Sequence, residues 1–299
     1  MENEDHDHEM SPFCLLPEGC ISNIISLTSA GDACTAAAVS LRFKSAADSD
    51  TVWERFLPPD YKNIIARCSS PVAYSTKKKL YFMLCDSHLL LDEGKMSIRL
   101  NKSTGKKWYM LSARELQIAW KDNPIYWKWT SLPESRFAEV AELLSVSWLE
   151  ISGKFQAQTL SPETKYAAYL VFKLSENHSG LNCSSKTSVK FVKENSTETT
   201  EEKISSVYLD LPTYEGVMRR RRWMHMLVRR MGRRLAWRRN DDWLEVELGQ
   251  FFINDEGDKN AVQIKLFETE LLDWKKGLIV EGIEVRPVEA SDPFSLWFL

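Results

Sequence analysis

Tryptophan is the residue whose type and spacing offer chemistry in this chain. Residues 106–137, KKWYMLSARELQIAWKDNPIYWKWTSLPESRF, hold four of its 11 tryptophans: Trp108, Trp120, Trp127 and Trp129. Trp120 and Trp127 flank Lys121-Asp122-Asn123-Pro124, a turn by its chemistry, because Asp and Asn hydrogen-bond their own backbone and Pro124 holds Asn123 extended. An indole can do two things in such a place. It can be buried, which removes a large apolar surface from water, or it can present a flat face to the C–H side of a sugar while polar neighbours take the hydroxyls. The residue types leave both open.

Other chemistries lack their residues. There is no Gly-rich phosphate loop, no G-x-S-x-G, no HExxH and no Cys/His dyad with a supporting third group. Glycoside hydrolysis needs two carboxyls across the scissile bond, one with a raised pKa, and no pair is marked out for it. The chain reads as non-catalytic, with no cofactor and no metal. His6 and His8 stand among acids in MENEDHDHEM and read as part of a solvated tail. Cysteines 14, 20, 34, 68, 85 and 183 form neither CxxC nor a zinc-spaced cluster, which fits reduced thiols in the cytoplasm and nucleus. No apolar h-region and no run of apolar residues long enough to span a bilayer is found, so neither a signal peptide nor a membrane span is expected. The triplets at Asn101, Asn177, Asn182 and Asn195 matter only in a secreted chain.

Charge is concentrated in one place. The net charge is −3, yet Arg219–Arg239 alone carries ten arginines and no acid; −3 less that +10 leaves −13 elsewhere. The run, RRRRWMHMLVRRMGRRLAWRR and above all Arg219, Arg220, Arg221 and Arg222, has several readings. It can bind a phosphate-rich partner such as nucleic acid, serve as an import signal, rest on an anionic membrane surface through Trp223 and Trp237, or be a solvated loop.

The elements that must position these groups differ between the two ends of the 299-residue chain. After Leu16-Pro17, Ile21, Ile24, Ile25 and Thr28 recur at helical spacing. Asp32 is expected to cap a helix over Ala33–Val39, and Ser49 or Asp50 one over Thr51–Leu57. A further helix is expected from Thr76 to Leu91. Beyond Lys106 the period becomes two. Strands are expected at Ser147–Gln158, Tyr166–Leu174, Ser188–Val192, Ile204–Leu211, Trp243–Phe252, Val262–Phe267 and Gly277–Val285, with another through Leu116, Ile118 and Trp120. So many short strands in succession argue a sandwich.

Two resemblances follow. LLPEGCISNIISLTSAGDACTAAAVSLRFKSAADSDTVW resembles an F-box: Leu-Pro at the start, the Ile stripe, Val39-Ser40 followed by Phe43, and a closing Trp53. This implies docking to a Skp-type adaptor and, through it, a cullin, by Leu16, Pro17, Ile21, Ile24, Ile25 and Val39. The strings WYMLSARELQIAW, NPIYWKW, ESRFAEVAELLSVSWLEISGKF, TKYAAYLVFKL, DWLEVELGQFF and KKGLIVEGIEVRP, in that order, resemble the Nictaba-like, or phloem protein 2-like, plant lectins. Joined, they resemble plant F-box proteins whose substrate-binding half is such a lectin.

The resemblance implies a domain binding GlcNAc-containing glycans or glycoproteins, with two tryptophans and two late acids at the sugar. The tryptophans match Trp120 and Trp127, and the later acid matches Glu268. The earlier acid falls near Asn260-Ala261, where no carboxylate stands, although Asp258 is close. The expected fold is α+β in two domains, a small all-α F-box followed by an all-β antiparallel, jelly-roll-like sandwich. The expected division is an acidic tail at 1–11, F-box at 12–58, helical linker at 59–105, lectin domain at 106–289 with a basic insert at 217–240, and a tail at 290–299.

Overall fold

Short apolar stripes behind Ser and Thr caps build the N-terminal unit. Its helices are α1 (Glu18–Ser26), α2 (Ala30–Ala36), α3 (Leu41–Ala47), α4 (Asp50–Phe56), α5 (Tyr61–Ala66) and α6 (Lys77–Asp86). None exceeds ten residues, so packing rather than propensity must hold them. Ser29, not Asp32, caps α2: the Ser29 hydroxyl accepts from the Asp32 N–H while the Asp32 carboxylate accepts from the Ser29 N–H. Ser40 and Thr76 cap α3 and α6. Trp53 is fully buried at the centre, its Nε1 donating to Ala47 O at 2.7 Å, with the rings of Phe56, Tyr81 and Phe82 around it.

The computed structural model describes residues 16–193, 203–210, 234–254 and 260–288. The expected tail at 1–11, the opening of the F-box stretch at 12–15, the insert from 217 to 233 with Arg219, Arg220, Arg221 and Arg222, Asp258, and the tail at 290–299 lie outside the described residues.

The strands are β1 (Leu89–Leu91), β2 (Met96–Leu100), β3 (Lys107–Ser112), β4 (Gln117–Ile118), β5 (Trp127–Thr130), β6 (Val140–Leu143), β7 (Leu149–Gln156), β8 (Thr164–Ser179), β9 (Ser184–Val192), β10 (Lys203–Tyr208), β11 (Arg234–Leu235), β12 (Trp237–Arg238), β13 (Leu244–Ile253), β14 (Ala261–Glu268) and β15 (Lys276–Pro287). A nine-stranded sheet runs β1-β2-β3-β15-β8-β13-β12, with β6 also on β15 and β5 on β6; a six-stranded sheet runs β11-β10-β9-β14-β7-β4. The inner faces carry residues such as Ile151, Val262, Ile264, Leu266, Leu170, Phe172, Ile283 and Val285, all buried, which is the sandwich the period of two requires.

Four further expectations change. The helix expected over Thr76–Leu91 ends at Asp86, and Leu89–Leu91 opens the large sheet, so the stretch 59–105 is not wholly helical and the sheet begins before residue 106. The sandwich is antiparallel except that β11 lies parallel to β10. The strand expected through Leu116–Trp120 is confined to Gln117–Ile118. The described end of the basic run is absorbed into the sandwich: Arg234 pairs with Glu247 at 3.2 Å, Arg238 with Asp242 at 3.1 Å, and Arg239 with Glu245 at 2.9 Å.

Arg239 belongs to an ionic layer on the outer face of the large sheet. Glu284, almost fully buried, accepts from Arg136 at 2.7 Å and lies 3.3 Å from Arg286, which forks onto Glu245 at 2.6 and 3.0 Å. Burial alone opposes ionisation of Glu284, but the guanidiniums of Arg136, Arg239 and Arg286 outweigh it and bring its pKa down to about 2. The layer ties the loop at 131–139 onto the sheet, because Arg136 N–H also donates to Glu281 at 2.8 Å.

The helical unit and the sandwich share one continuous apolar core, from Ile21 to Val285. The joint is also polar: Tyr81 OH donates to Lys102 O at 3.1 Å, Lys107 Nζ pairs with Asp60 at 3.1 Å, and Arg67 forks onto Asp92 at 2.6 and 3.0 Å. Gly105, at φ +66°, lies so close that an added Cβ would stand 2.8 Å from Phe56 O.

Candidate functional site

The turn after β4 builds the site. β4 is held to β7 by the pairs Gln117 with Ser152 and Ile118 with Ile151, and Ala119 N–H extends the ladder to Glu150 O at 3.0 Å. Trp120 then takes φ +59°, a left-handed conformation costly for a large side chain, and turns the chain out of the sheet. Asn123 N–H closes onto Trp120 O at 2.9 Å, Asn123 Oδ1 accepts from the Ile125 N–H at 3.0 Å, and Tyr126 and Trp127 N–H groups return to Asn123 O. Strain of this kind, held by several hydrogen bonds, fixes an indole at the surface.

The two flanking tryptophans part company. Trp120 is 49% exposed and leans on Tyr126, ring centroids 5.6 Å apart. Trp127, on β5, is 2% exposed, and its Nε1 donates to Ala119 O at 3.0 Å. Trp127 therefore has no free face for a ligand; it stands behind the turn and holds Ala119, next to Trp120. The expectation that both indoles meet a sugar is corrected on this ground. Trp129 is half-buried, with the Arg114 guanidinium 3.6 Å over its ring.

Around Trp120 lies a shallow, open depression of about 660 Å³, lined by Gln117, Ile118, Trp120, Lys121, Asp122, Asn123 and Pro124. Lys121 Nζ is committed to the carbonyls of Leu116 and Arg114 at 2.9 and 3.0 Å. With Gln117 Oε1 bonded to Ser152 Oγ and Asn123 Oδ1 to the Ile125 N–H, that leaves the amide nitrogens of Gln117 and Asn123 and the exposed carboxylate of Asp122 beside one free aromatic face. Stacking plus neutral and charge-assisted hydrogen bonds suit a polyhydroxylated, uncharged ligand. Asp122 and Gln117 were legible only as turn and strand residues, since no pattern in the sequence marks an acid as a lining group.

Glu268, the acid matched to the sugar site, does not line this depression. It ends β14 opposite Leu149, almost wholly buried, and its Oε1 accepts from the N–H groups of Glu270 and Leu271 at 3.1 and 2.8 Å. Its carboxylate also pairs with Lys275, fully buried, whose Nζ donates to Ser147 O and Asp273 O at 3.0 and 2.8 Å. Burial works against the charge of Glu268, but Lys275 and the two backbone donors outweigh it and hold its carboxyl below the usual range. The pair staples the 144–148 and 269–275 loops beside the turn. These contacts hold the carboxylate within the loops rather than in the depression.

At the helical end, the stripe also divides. Ile21 is 1% exposed and Ile25 is buried with it, in the helix that packs on α3 and α4, whereas Ile24, at the edge of the same stripe, is 48% exposed. Leu16 is half-buried and Pro17 exposed at the N-cap of α1. Val39 and Leu41 are 68% and 87% exposed, and Leu27 stands out with them. Thus Pro17, Ile24 and Val39 face solvent as a docking face requires, Ile21 and Ile25 are core, and Leu27 and Leu41 join the exposed set.

Among the described residues no helix is long and apolar enough to cross a membrane, and no group of His, Cys, Asp and Glu is placed to hold a metal ion.

A small helical unit sharing its core with an aromatic-rimmed β-sandwich is the architecture. Residues 106–287 match the family described as Phloem protein 2. The chain is 43% identical over 292 residues to F-box protein At2g02240 of Arabidopsis thaliana, covering 94% of this chain and 82% of that protein. It is 42% identical over 287 residues to F-box protein PP2-B10 of the same plant, covering 94% and 96%. The chain belongs to the phloem protein 2 family, among relatives named as F-box proteins. A family 35 carbohydrate binding module from Clostridium thermocellum superposes loosely, with a TM-score of 0.28 and 9% identity over 60% of this chain and 98% of the module; likeness at this level says nothing of ligands.

Proposed function

We propose that this chain is a substrate-recognition subunit of an SCF-type (Skp–cullin–F-box) E3 ubiquitin ligase of the cytoplasm and nucleus, and that it binds GlcNAc-containing glycans or glycoproteins through the rim at Trp120. The observation that carries the reading is the strained, exposed Trp120 above a depression whose other free groups are two amide nitrogens and a carboxylate. The apolar residues Ile24, Leu27, Val39 and Leu41, exposed among the described residues, support adaptor docking at the other end. The chain performs no chemistry: it raises the effective concentration of a bound target near the ubiquitin-transferring subunits.

The test has two arms on the full chain. On a glycan array, the chain should retain GlcNAc-containing glycans and Trp120→Ala should lose them. In co-purification, the chain should capture a Skp-type adaptor, and Leu41→Asp paired with Val39→Asp should release it. Failure of the array arm with adaptor capture intact points to an adaptor that recognises protein surfaces. Failure of the adaptor arm alone leaves a stand-alone lectin.

A further inference from the structure

We infer that the glycan site continues from the Trp120 depression onto the outer face of the six-stranded sheet, where Trp148, Glu150 and Lys265 form a second sugar subsite, so that the ligand is an oligosaccharide lying across β4, β7 and β14. The inference rests on the proposed reading of Trp120.

Register supplies the geometry. Gln117, at the edge of the depression, lies opposite Ser152, which lies opposite Lys265 on β14; one step toward the rim, Glu150 lies opposite Phe267. Side chains alternate along a strand, so Glu150, Ser152, Lys265 and Phe267 share the outer face, while Ile151, Leu149, Ile264 and Leu266 fill the core. Ser152 Oγ lies 3.4 Å from Gln117 Oε1, so the depression and this face are continuous. Trp148, 41% exposed, immediately precedes β7, and its Nε1 donates to Glu150 Oε2 at 3.2 Å. Lys265 Nζ pairs with Glu150 at 2.8 Å and stands 5.1 Å over the Phe267 ring.

These contacts decide the ligand's class. A surface built for a protein core would be apolar, yet here a charged pair lies between two rings. Within the Glu150–Lys265 pair the charges neutralise each other, so between the two rings neither an anionic nor a cationic ligand is favoured. What remains is an aromatic surface beside a carboxylate and an ammonium whose unused lone pairs and N–H groups suit hydroxyls. Two strand spacings, about 9–10 Å, separate β4 from β14, a span wider than one sugar ring.

The experiment is calorimetric titration of the full chain with N-acetylglucosamine and with its β-1,4-linked trimer. The wild type should bind the trimer more tightly than the monosaccharide. Trp148→Ala should weaken the trimer about tenfold and leave the monosaccharide within about twofold. Lys265→Gln, which disturbs no buried ring, should weaken the trimer about threefold with the same selectivity. Trp120→Ala should lose both ligands, and Ile204→Ala, exposed on β10 of the same sheet, should change neither. Equal effects of Trp148→Ala and Lys265→Gln on both sugars, or none on either, would overturn the subsite while the Trp120 reading stands. A wild type that binds neither sugar would overturn both. Thermal midpoints within about 2 °C of the wild type show that each variant is folded.

Discussion

Replacing Glu268 by Gln separates support from contact at the rim. Glu268 and Lys275 are buried side by side, and the Lys275 ammonium otherwise has only the carbonyls of Ser147 and Asp273. Glu268→Gln keeps an oxygen for the Glu270 and Leu271 N–H groups but strands a buried ammonium, a loss of about 3 kcal/mol. For a chain of this size that is a fall in Tm of about 6–12 °C. Lys275→Met alone strands the carboxylate, though its two backbone donors remain, so its loss should be smaller. The double variant, with no charge in the pair, should be more stable than the two separate losses predict. The sign with pH follows: Glu268 has a lowered pKa in the folded state, so its stabilisation is present above the ordinary carboxylate pKa and is lost as pH falls through the folded value. Thermal melts of the four proteins, followed by sugar titration at a temperature where all are folded, decide the matter. A Glu268→Gln variant that melts with the wild type but no longer binds sugar would refute the supporting role and restore this acid to the ligand.

Other perturbations separate further groups. Trp127→Ala removes a buried indole and its bond to Ala119, and should cost about 3–5 kcal/mol in a denaturant melt, whereas Trp120→Ala should leave the melt nearly unchanged. Gly105→Ala introduces a Cβ at φ +66° and 2.8 Å from Phe56 O, and should lower stability by about 1–3 kcal/mol in the same assay. Glu284, with a folded pKa lowered to about 2, stabilises the fold above the ordinary carboxylate range; that contribution should fade between there and pH 2, and Glu284→Gln should flatten the acid limb of a stability–pH curve.

Periodicity made the long strands legible. LEVELGQFF and the apolar run TKYAAYLVFKL both read as strands, and β8 and β13 lie where they point, although β8 is buried on both faces from Tyr166 to Phe172 and so follows its apolar run rather than an alternation. Leu89-Leu90-Leu91 escaped, because a short apolar run after a helix has no period of its own and joins the sheet only through β2. Leu116 and Ile118 alternate properly, but Trp120 continues the pattern in sequence while its φ breaks it in space. The division of labour between Trp120 and Trp127 was not legible either, since it depends on which indole N–H reaches Ala119 O. Glu268 looked like a strand-end carboxylate because its partner, Lys275, reaches it across a loop. Arg234, Arg238 and Arg239 read as part of a basic run, and only the fold brings Glu247, Asp242 and Glu245 to them.

The core common to the helices and the sandwich has a thermodynamic consequence. Because Trp53, Tyr81, Ile98 and Tyr109 belong to one apolar cluster, the two parts are expected to melt together, and a ligand on either end draws on the same folding equilibrium. An adaptor held on α1–α3 at 100 times its Kd would add about 2.7 kcal/mol to the whole chain, the sugar rim included. Chains without an adaptor would form the less stable pool and be the first to unfold, so occupancy at one end would set the lifetime of recognition at the other.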